Sequence, residues 1–226
     1  MKFKAAIKAI NKNGILLVFP KNNQKEPKSL WSEFYPKTKM KWEWDDDGDD
    51  RVASLWHLMK KLSDCREVVY SKWYQGRATF FSRELFTAML ALLQKTPKYN
   101  DLLSREAHEI LSTLEADSPL STRDVKKLTE LQGRDNESRY SRAMKDLFLR
   151  MQIVAFGEVN DGAFPSLAVA ATANIYEDLW KPAQKMTQKE AELVLSRSIP
   201  ASSPFRRFFD KTVEQLSDKN TREKNS

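Results

Sequence analysis

Two histidines and one cysteine are the side chains of this chain best suited to act as a nucleophile, a base or a soft metal ligand. His57 and Cys65 lie eight residues apart, and a cysteine–histidine pair functions only when the two groups are within hydrogen-bond reach. His57 and His108 alone are too few for a zinc site or a histidine-based triad. The sequence therefore predicts no metal and no catalytic residues of this kind.

The acidic side chains are concentrated between residues 43 and 50, which hold six acids and no base. Glu43, Asp45 and Asp47 imitate the start of a calcium-binding loop, but the twelfth position is Ser54, where such loops need a bidentate glutamate. A surface turn also lacks the burial that would tune paired carboxylates for acid–base catalysis. We therefore predict a solvated acidic turn over residues 43–50. The sequence also has no glycine-rich loop that could cradle a phosphate, so we predict no cofactor.

Basic and polar side chains between residues 126 and 160 provide a different kind of chemistry, because cations can meet DNA phosphates or the edges of guanine bases. On a helix over residues 137–151, Ser138, Arg142 and Lys145 would point outward, with Arg139 on the flank. The alternative is a solvated helix face that needs its charges only for solubility. The predicted DNA-binding residues are Lys126, Lys127, Arg134, Ser138, Arg139, Arg142, Lys145 and Asn160.

Three predicted helices position these side chains. Apolar residues at three- and four-residue steps indicate a first helix over residues 104–115, and Ser121 offers an N-cap for a second over residues 121–131. The third helix, residues 137–151, is the longest. The residues expected to be buried are Val125, Leu128 and Leu131 on the second helix and Tyr140, Met144, Leu147 and Met151 on the third.

A β-hairpin is predicted directly after the third helix. Residues 153–159 and 163–169 are rich in β-branched and apolar side chains, and Asn160, Asp161 and Gly162 are typical of a tight turn between them. Three helices followed by such a hairpin form the winged-helix pattern. In that arrangement the outward face of the third helix can lie in the major groove, and the hairpin tip can reach the backbone or the minor groove.

The remaining chain reads as support for this unit or a partial copy of it. Residues 1–98 are predicted as a mainly helical, winged-helix-like domain with one extended segment, Ile15–Pro20. Within it, residues 52–62 would line a helix face that includes Trp56, and residues 68–74 would continue the helix. The predicted divisions are residues 1–98, a winged-helix domain at 99–182, C-terminal helices of a truncated third unit at 183–217, and a disordered tail at 218–226. The fold class is mainly α with short β-hairpins (α+β), in a tandem winged-helix architecture.

The amino-acid composition is that of a basic protein that can bind negatively charged partners. The 226 residues are 41% hydrophobic, enough for a core, and carry a net charge of +7 with a pI near 9.3, which favours polyanionic partners. Residues 1–41 hold ten lysines and two acids. The single cysteine, Cys65, cannot form an internal disulfide, and no apolar run is long enough to span a membrane. We therefore expect a cytoplasmic protein with no membrane partner.

Several segments resemble the shorter relatives of the AlkZ (YcaQ-type) DNA glycosylases. They are Ile15–Pro20, Ser29-Leu30-Trp31, residues 74–79 (Tyr-Gln-Gly-Arg-Ala-Thr) and residues 121–180, and the resemblance extends over roughly Met1 to Phe209. The resemblance implies a fold of tandem winged helices and double-stranded DNA as a partner. It also implies a function in DNA repair.

The glycosylases of that family use a short Gln-x-Gln or Gln-x-Asp motif to handle the catalytic water, and none of the eight glutamines of this chain begins such a motif. Three functions therefore stay open. The first is a winged-helix DNA-binding protein without catalysis, and the second is a glycosylase for alkylated or crosslinked bases with a diverged active site. The third is a non-catalytic protein-interaction scaffold, since a fold can persist after its function has changed.

Overall fold

The computed structural model describes residues 2–41, 50–101, 103–159 and 165–217, and its first six elements form one unit. Gly14 ends the first helix with φ +73°, and the chain passes directly into the first strand. The strands form an antiparallel sheet in the order first, third, second. The elements of this first unit are α1 (Phe3–Asn13), β1 (Ile15–Leu17), α2 (Leu30–Phe34), α3 (Asp50–Ser63), β2 (Val68–Ser71) and β3 (Thr79–Ser82).

The helix predicted to continue through residues 68–74 is wrong, because β2 pairs with β3 over residues 68–71. Side chains of a strand alternate between two faces. Val68 belongs to one apolar cluster of the protein and Val69 to the other, so both faces of β2 are buried. In a strand that is apolar on both faces, apolar and polar residues do not alternate. The sequence of β2 therefore does not distinguish a strand from a buried helix.

A buried helix, α4 (Arg83–Gln94), connects the first unit to the rest of the chain. The Ser82 hydroxyl accepts a hydrogen bond from the Leu85 N–H (3.3 Å) and so caps the start of α4. The second unit then repeats the order of elements seen in the first. Its elements are α5 (Arg105–Ala116), β4 (Leu120–Ser121), α6 (Thr122–Leu128), a short 3-10 turn (Arg134–Asn136), α7 (Glu137–Leu149), β5 (Ile153–Val159) and β6 (Ser166–Ala171).

The second sheet is antiparallel in the order β4-β6-β5, which is again first, third, second. The two helices predicted over residues 121–131 and 137–151 are confirmed, although α6 ends early at Leu128. The hairpin predicted over residues 153–169 is also present as β5 and β6, while its predicted tip, residues 160–162, lies outside the described residues. Helices with two small antiparallel sheets confirm the α+β class.

Four helices complete the described chain, and two of them, α9 and α10, pack on α4. Thr187 and Glu190 form a capping box at the start of α10. The last helix covers aromatic residues of the first unit: the Phe208 ring meets Trp73 edge-on with centroids 4.9 Å apart. The helices are α8 (Thr172–Ile175), α9 (Glu177–Lys185), α10 (Gln188–Ser198) and α11 (Pro204–Ser217).

The two units meet along β5. Strand β5 contacts both β2 and α3, and Gly157 lies so near the first unit that an added Cβ would be 2.0 Å from Asp64 Oδ1. Gly157 has φ +72° and sits in the register shift of the β5–β6 pairing. Beside it, Lys60 Nζ lies 3.8 Å from Glu158 Oε2. Both apolar clusters draw residues from the two units, so the cores cross the predicted boundary at residue 98.

Candidate nucleic-acid interface

Helix α7 buries one face against α5 and leaves the other in solvent. Tyr140, Met144 and Leu147 are buried, as predicted, and the Tyr140 hydroxyl donates to the Thr122 carbonyl oxygen (3.3 Å). Burial raises the pKa of Tyr140, so this phenol stays neutral at physiological pH. Because this face of α7 packs against α5, the side chains on the opposite face point into solvent.

Arg142 and Lys145 are exposed on the outward face, together with Ser138. The Arg142 Nε donates to the Ser138 carbonyl oxygen of its own helix (3.3 Å), and its terminal nitrogens have no partner among the described residues. Lys145 makes no ion pair or hydrogen bond to any residue in the described ranges. This face can therefore offer two cations to an anion without breaking an existing contact.

Two other predicted residues, Arg139 and Lys126, are already paired. Arg139 bonds Glu106 of α5, with Nε 2.8 Å from Oε1. Lys126 Nζ lies 2.6 Å from Glu137 Oε2 and 4.6 Å from the centre of the Tyr140 ring. Such exposed pairs contribute about 0.2–1 kcal/mol, so a phosphate can replace the carboxylate at little cost.

The sequence does not predict Glu106 as the partner of Arg139. Hydrogen bonds from its own backbone N–H, from Arg139 and from Ser104 hold the pKa of Glu106 below its usual value. The carboxylate is therefore ionised at neutral pH and competes directly with a phosphate for Arg139. The pair joins residues 33 positions apart, so no local spacing in the sequence could have revealed it.

The turn between α6 and α7 presents Arg134, and the last turn of α6 presents Lys127, both exposed. Gly133 adopts φ +91° at this turn, a left-handed conformation that favours glycine. The Asn136 amide donates to the Gln132 carbonyl oxygen (3.0 Å) and fixes the approach to α7. These two cations thus flank the α7 face on the side of α6.

Leu128 was predicted to be buried, and this is wrong, since 59% of it is exposed. Helix α6 ends at this residue, and Glu130 takes φ +55°, which turns the chain so that Leu131 fills the inner position with 5% exposure. Leu128 lines a groove of about 720 Å³ between α5 and the turn, beside Glu106 and Arg139.

The hairpin contributes little positive charge. From residue 151 to residue 171 the sequence contains no lysine or arginine. Its described acid, Glu158, faces Lys60 of α3. Asn160, the predicted contact at the hairpin tip, lies outside the described residues.

Residues that could perform covalent or metal chemistry are not brought together. His57 and His108 are exposed on different helices, and burial raises the pKa of the Cys65 thiol, which disfavours the reactive thiolate. Within the described ranges, no group of three or more histidine, cysteine, aspartate or glutamate side chains could hold a metal ion. Over the same ranges, no helix combines the length and apolar character that crossing a bilayer requires.

Comparison with known proteins gives one match. The sequence model of a family described as AlkZ related matches residues 1–205. No curated protein and no solved structure matches the chain.

Proposed function

Because the chain belongs to the AlkZ-related family, we propose that it binds double-stranded DNA through α7 of the second of two winged-helix units. The observation that carries this proposal is the outward face of α7, where Arg142 and Lys145 are exposed beside Ser138. Cations fixed on one face of a helix that enters the major groove meet phosphates and guanine edges.

The surrounding cations fit the same docking. With α7 in the groove, Lys127 and Arg134 reach the flanking phosphates, the contact that the preceding helix and turn make in helix-turn-helix proteins. Lys126 and Arg139 join by exchanging their carboxylate partners for phosphates. The hairpin strands lack basic residues, so the hairpin contributes through its tip, where Asn160 is the proposed contact.

We propose that the protein binds DNA without excising bases. None of its glutamines begins the Gln-x-Gln or Gln-x-Asp motif that the related glycosylases use for the catalytic water. The described residues offer no other group of activated side chains in its place. Family membership supports a glycosylase with a diverged active site as the second candidate function.

The affinity for a duplex, measured against salt concentration, tests the DNA-binding proposal. The four cations with no carboxylate partner among the described residues (Lys127, Arg134, Arg142 and Lys145) predict a slope of log K against log salt of about −3.6 or steeper, because each phosphate contact contributes about −0.9. A chain that does not bind duplex, or binds it with no salt dependence, would overturn the proposal in favour of a protein-interaction scaffold.

An excision assay separates the two candidate functions. The protein is incubated with duplex carrying N-alkylpurines, and abasic sites are counted against a boiled control. Binding without abasic sites supports the non-catalytic function, whereas turnover above the control would show that a diverged active site exists.

A further inference from the structure

The first unit exposes a tryptophan where the pattern predicted burial. Helix α3 buries Val52, Leu55 and Met59, but Trp56 is 48% exposed, which corrects its predicted place in the core. Trp31 and Trp73, by contrast, are each 2% exposed. The half-exposed indole ring of Trp56 offers solvent an aromatic surface on which a flat ligand can stack.

One basic side chain lies on the same row of α3 as this ring. Lys60 is four residues after Trp56, about 6 Å along the helix axis, and the exposed Lys61 follows it on the neighbouring row, four residues after the exposed His57. The Lys60 side chain is 42% exposed, and its 3.8 Å separation from Glu158 is longer than a hydrogen bond, so its N–H groups can still donate. An aromatic face with a cation one turn away matches the two parts of a nucleotide, its flat base and its phosphate.

Other occupants fit this surface less well. A second copy of the chain would need an interface of about 1,000 Å² or more, and a single exposed ring supplies only a small part of that area. A membrane-surface helix inserts its apolar face into lipid, whereas the apolar face of α3 is buried in the core. A nucleotide needs only one ring and its cationic neighbours.

The position of α3 connects this surface to the proposed DNA interface. Helix α3 has the same place in the first unit that α7 has in the second, and it contacts β5, the strand that follows α7. A nucleic acid seated on α7 therefore has a second surface available on an element joined to the same strand.

We infer that Trp56 is a stacking site for an unpaired nucleobase, with Lys60 and Lys61 contacting the phosphates of the same strand. The inference rests on the proposed function, and it adds single-stranded DNA, or the unpaired part of a tailed duplex, to the ligands of this protein. Stacking accepts any base, so the site selects unpaired strands without selecting a sequence.

The test measures binding of the full chain to oligo(dT) and to an intact duplex. Trp56→Ala should weaken oligo(dT) binding about five- to hundredfold with an unchanged salt slope, and Trp56→Phe should restore most of the affinity. Replacing Lys60 and Lys61 together with alanine should lower the salt slope for oligo(dT) by about 1.4. Leu193→Ala, which removes another exposed apolar side chain (67% exposed), is the matched control and should bind like the wild type.

The outcomes distinguish this inference from the proposed function. Duplex affinity should be the same in Trp56→Ala and the wild type, because α7 is untouched. If the wild type binds duplex but Trp56→Ala and Leu193→Ala bind oligo(dT) equally, the stacking site is wrong and the proposed function stands. If Trp56→Ala changes only self-association or binding to anionic phospholipid vesicles, the occupant is not a nucleobase. A wild type that binds neither DNA overturns both proposals.

Discussion

The two units share one order of elements and one sheet order, yet they place their sheets in different surroundings. In the first unit β2 and β3 are buried along their whole length. In the second unit β5 runs from a buried start to an exposed end, where Val159 is 39% exposed. The strands β2 and β3 of the first unit are therefore buried, whereas β5 of the second unit reaches the surface.

The corresponding helices of the two units, α3 and α7, also differ in how much of their surface is packed against other elements. Helix α3 is held from two sides, by its own core and by β5, whereas α7 packs on α5 and leaves its opposite face in solvent. That free face carries Arg142 and Lys145, and the free part of α3 carries Trp56. Packing between the units thus decides which helix can present a wide basic surface.

The largest expected effect is at Arg150, a buried arginine (5% exposed) that follows α7. Its guanidinium donates to the carbonyl oxygens of Lys98, Tyr99 and Asp101 and pairs with Asp146. Arg150→Ala should lower the free energy of unfolding by about 3 kcal/mol, because it leaves buried acceptors unpaired. Urea denaturation measures this loss.

Arg142→Ala is the matched control for that experiment, since it makes the same chemical change at an exposed site of α7. Its unfolding free energy should change by about 0.5 kcal/mol or less. Equal losses in the two variants would mean that Arg150 does not hold the segment after α4 to the second unit.

The next effect is at the junction of the units. Gly157→Ala should cost more than Gly76→Ala, although both residues have a φ near +73°. Each change introduces left-handed strain of about 1–2 kcal/mol, but an added Cβ at Gly76 meets nothing within 4 Å, whereas at Gly157 it meets Asp64. The difference between the two variants, measured by thermal or urea denaturation, isolates the contact between the units.

A further change tests that interpretation. Asp64→Ala in the Gly157→Ala background should remove the extra loss and leave only the strain shared with Gly76→Ala. If the two glycine variants already lose the same stability, the close approach of β5 to the first unit contributes nothing measurable.

The smallest expected effect concerns Arg139. Glu106→Gln removes the carboxylate that pairs with this arginine, so Arg139 becomes free to contact a phosphate. We expect the affinity for duplex at moderate salt to rise a few-fold, because Arg139 no longer has to give up a carboxylate in order to contact a phosphate. Glu109→Gln, which frees Arg105 on the same helix, is the control and should leave binding unchanged. Equal affinity of Glu106→Gln and the wild type would show that Arg139 does not contact DNA.

The sequence was most informative where one face of an element is buried and the other is in solvent. The buried and exposed sides of α7 follow its periodicity, and the caps at Ser82, Ser121 and Thr187 follow from local side-chain chemistry. Each of these features depends on residues within a few positions of one another, so a local sequence pattern is enough to predict it.

The features that the sequence could not show depend on distant parts of the chain. Strand β2 has apolar residues on both faces because two cores cover it, and Leu128 is exposed because the chain turns after α6. Trp56 fits the apolar spacing of α3, yet its side chain is exposed. The pairing of Arg139 with Glu106 likewise follows only from the packing of α7 on α5.

The central claim is that DNA binding runs through the second unit, although the first unit holds the densest run of lysines. Two double variants test it with the same loss of charge: Arg142→Ala with Lys145→Ala on α7, and Lys4→Ala with Lys8→Ala on α1, where both lysines are exposed. The measurement is the salt slope for binding to one duplex. We predict that the α7 variant stays folded, lowers the slope by about 2 and weakens binding about tenfold or more, while the α1 variant keeps the wild-type slope. A folded α7 variant with the wild-type slope, together with a lowered slope in the α1 variant, would contradict the account and assign the interface to the first unit.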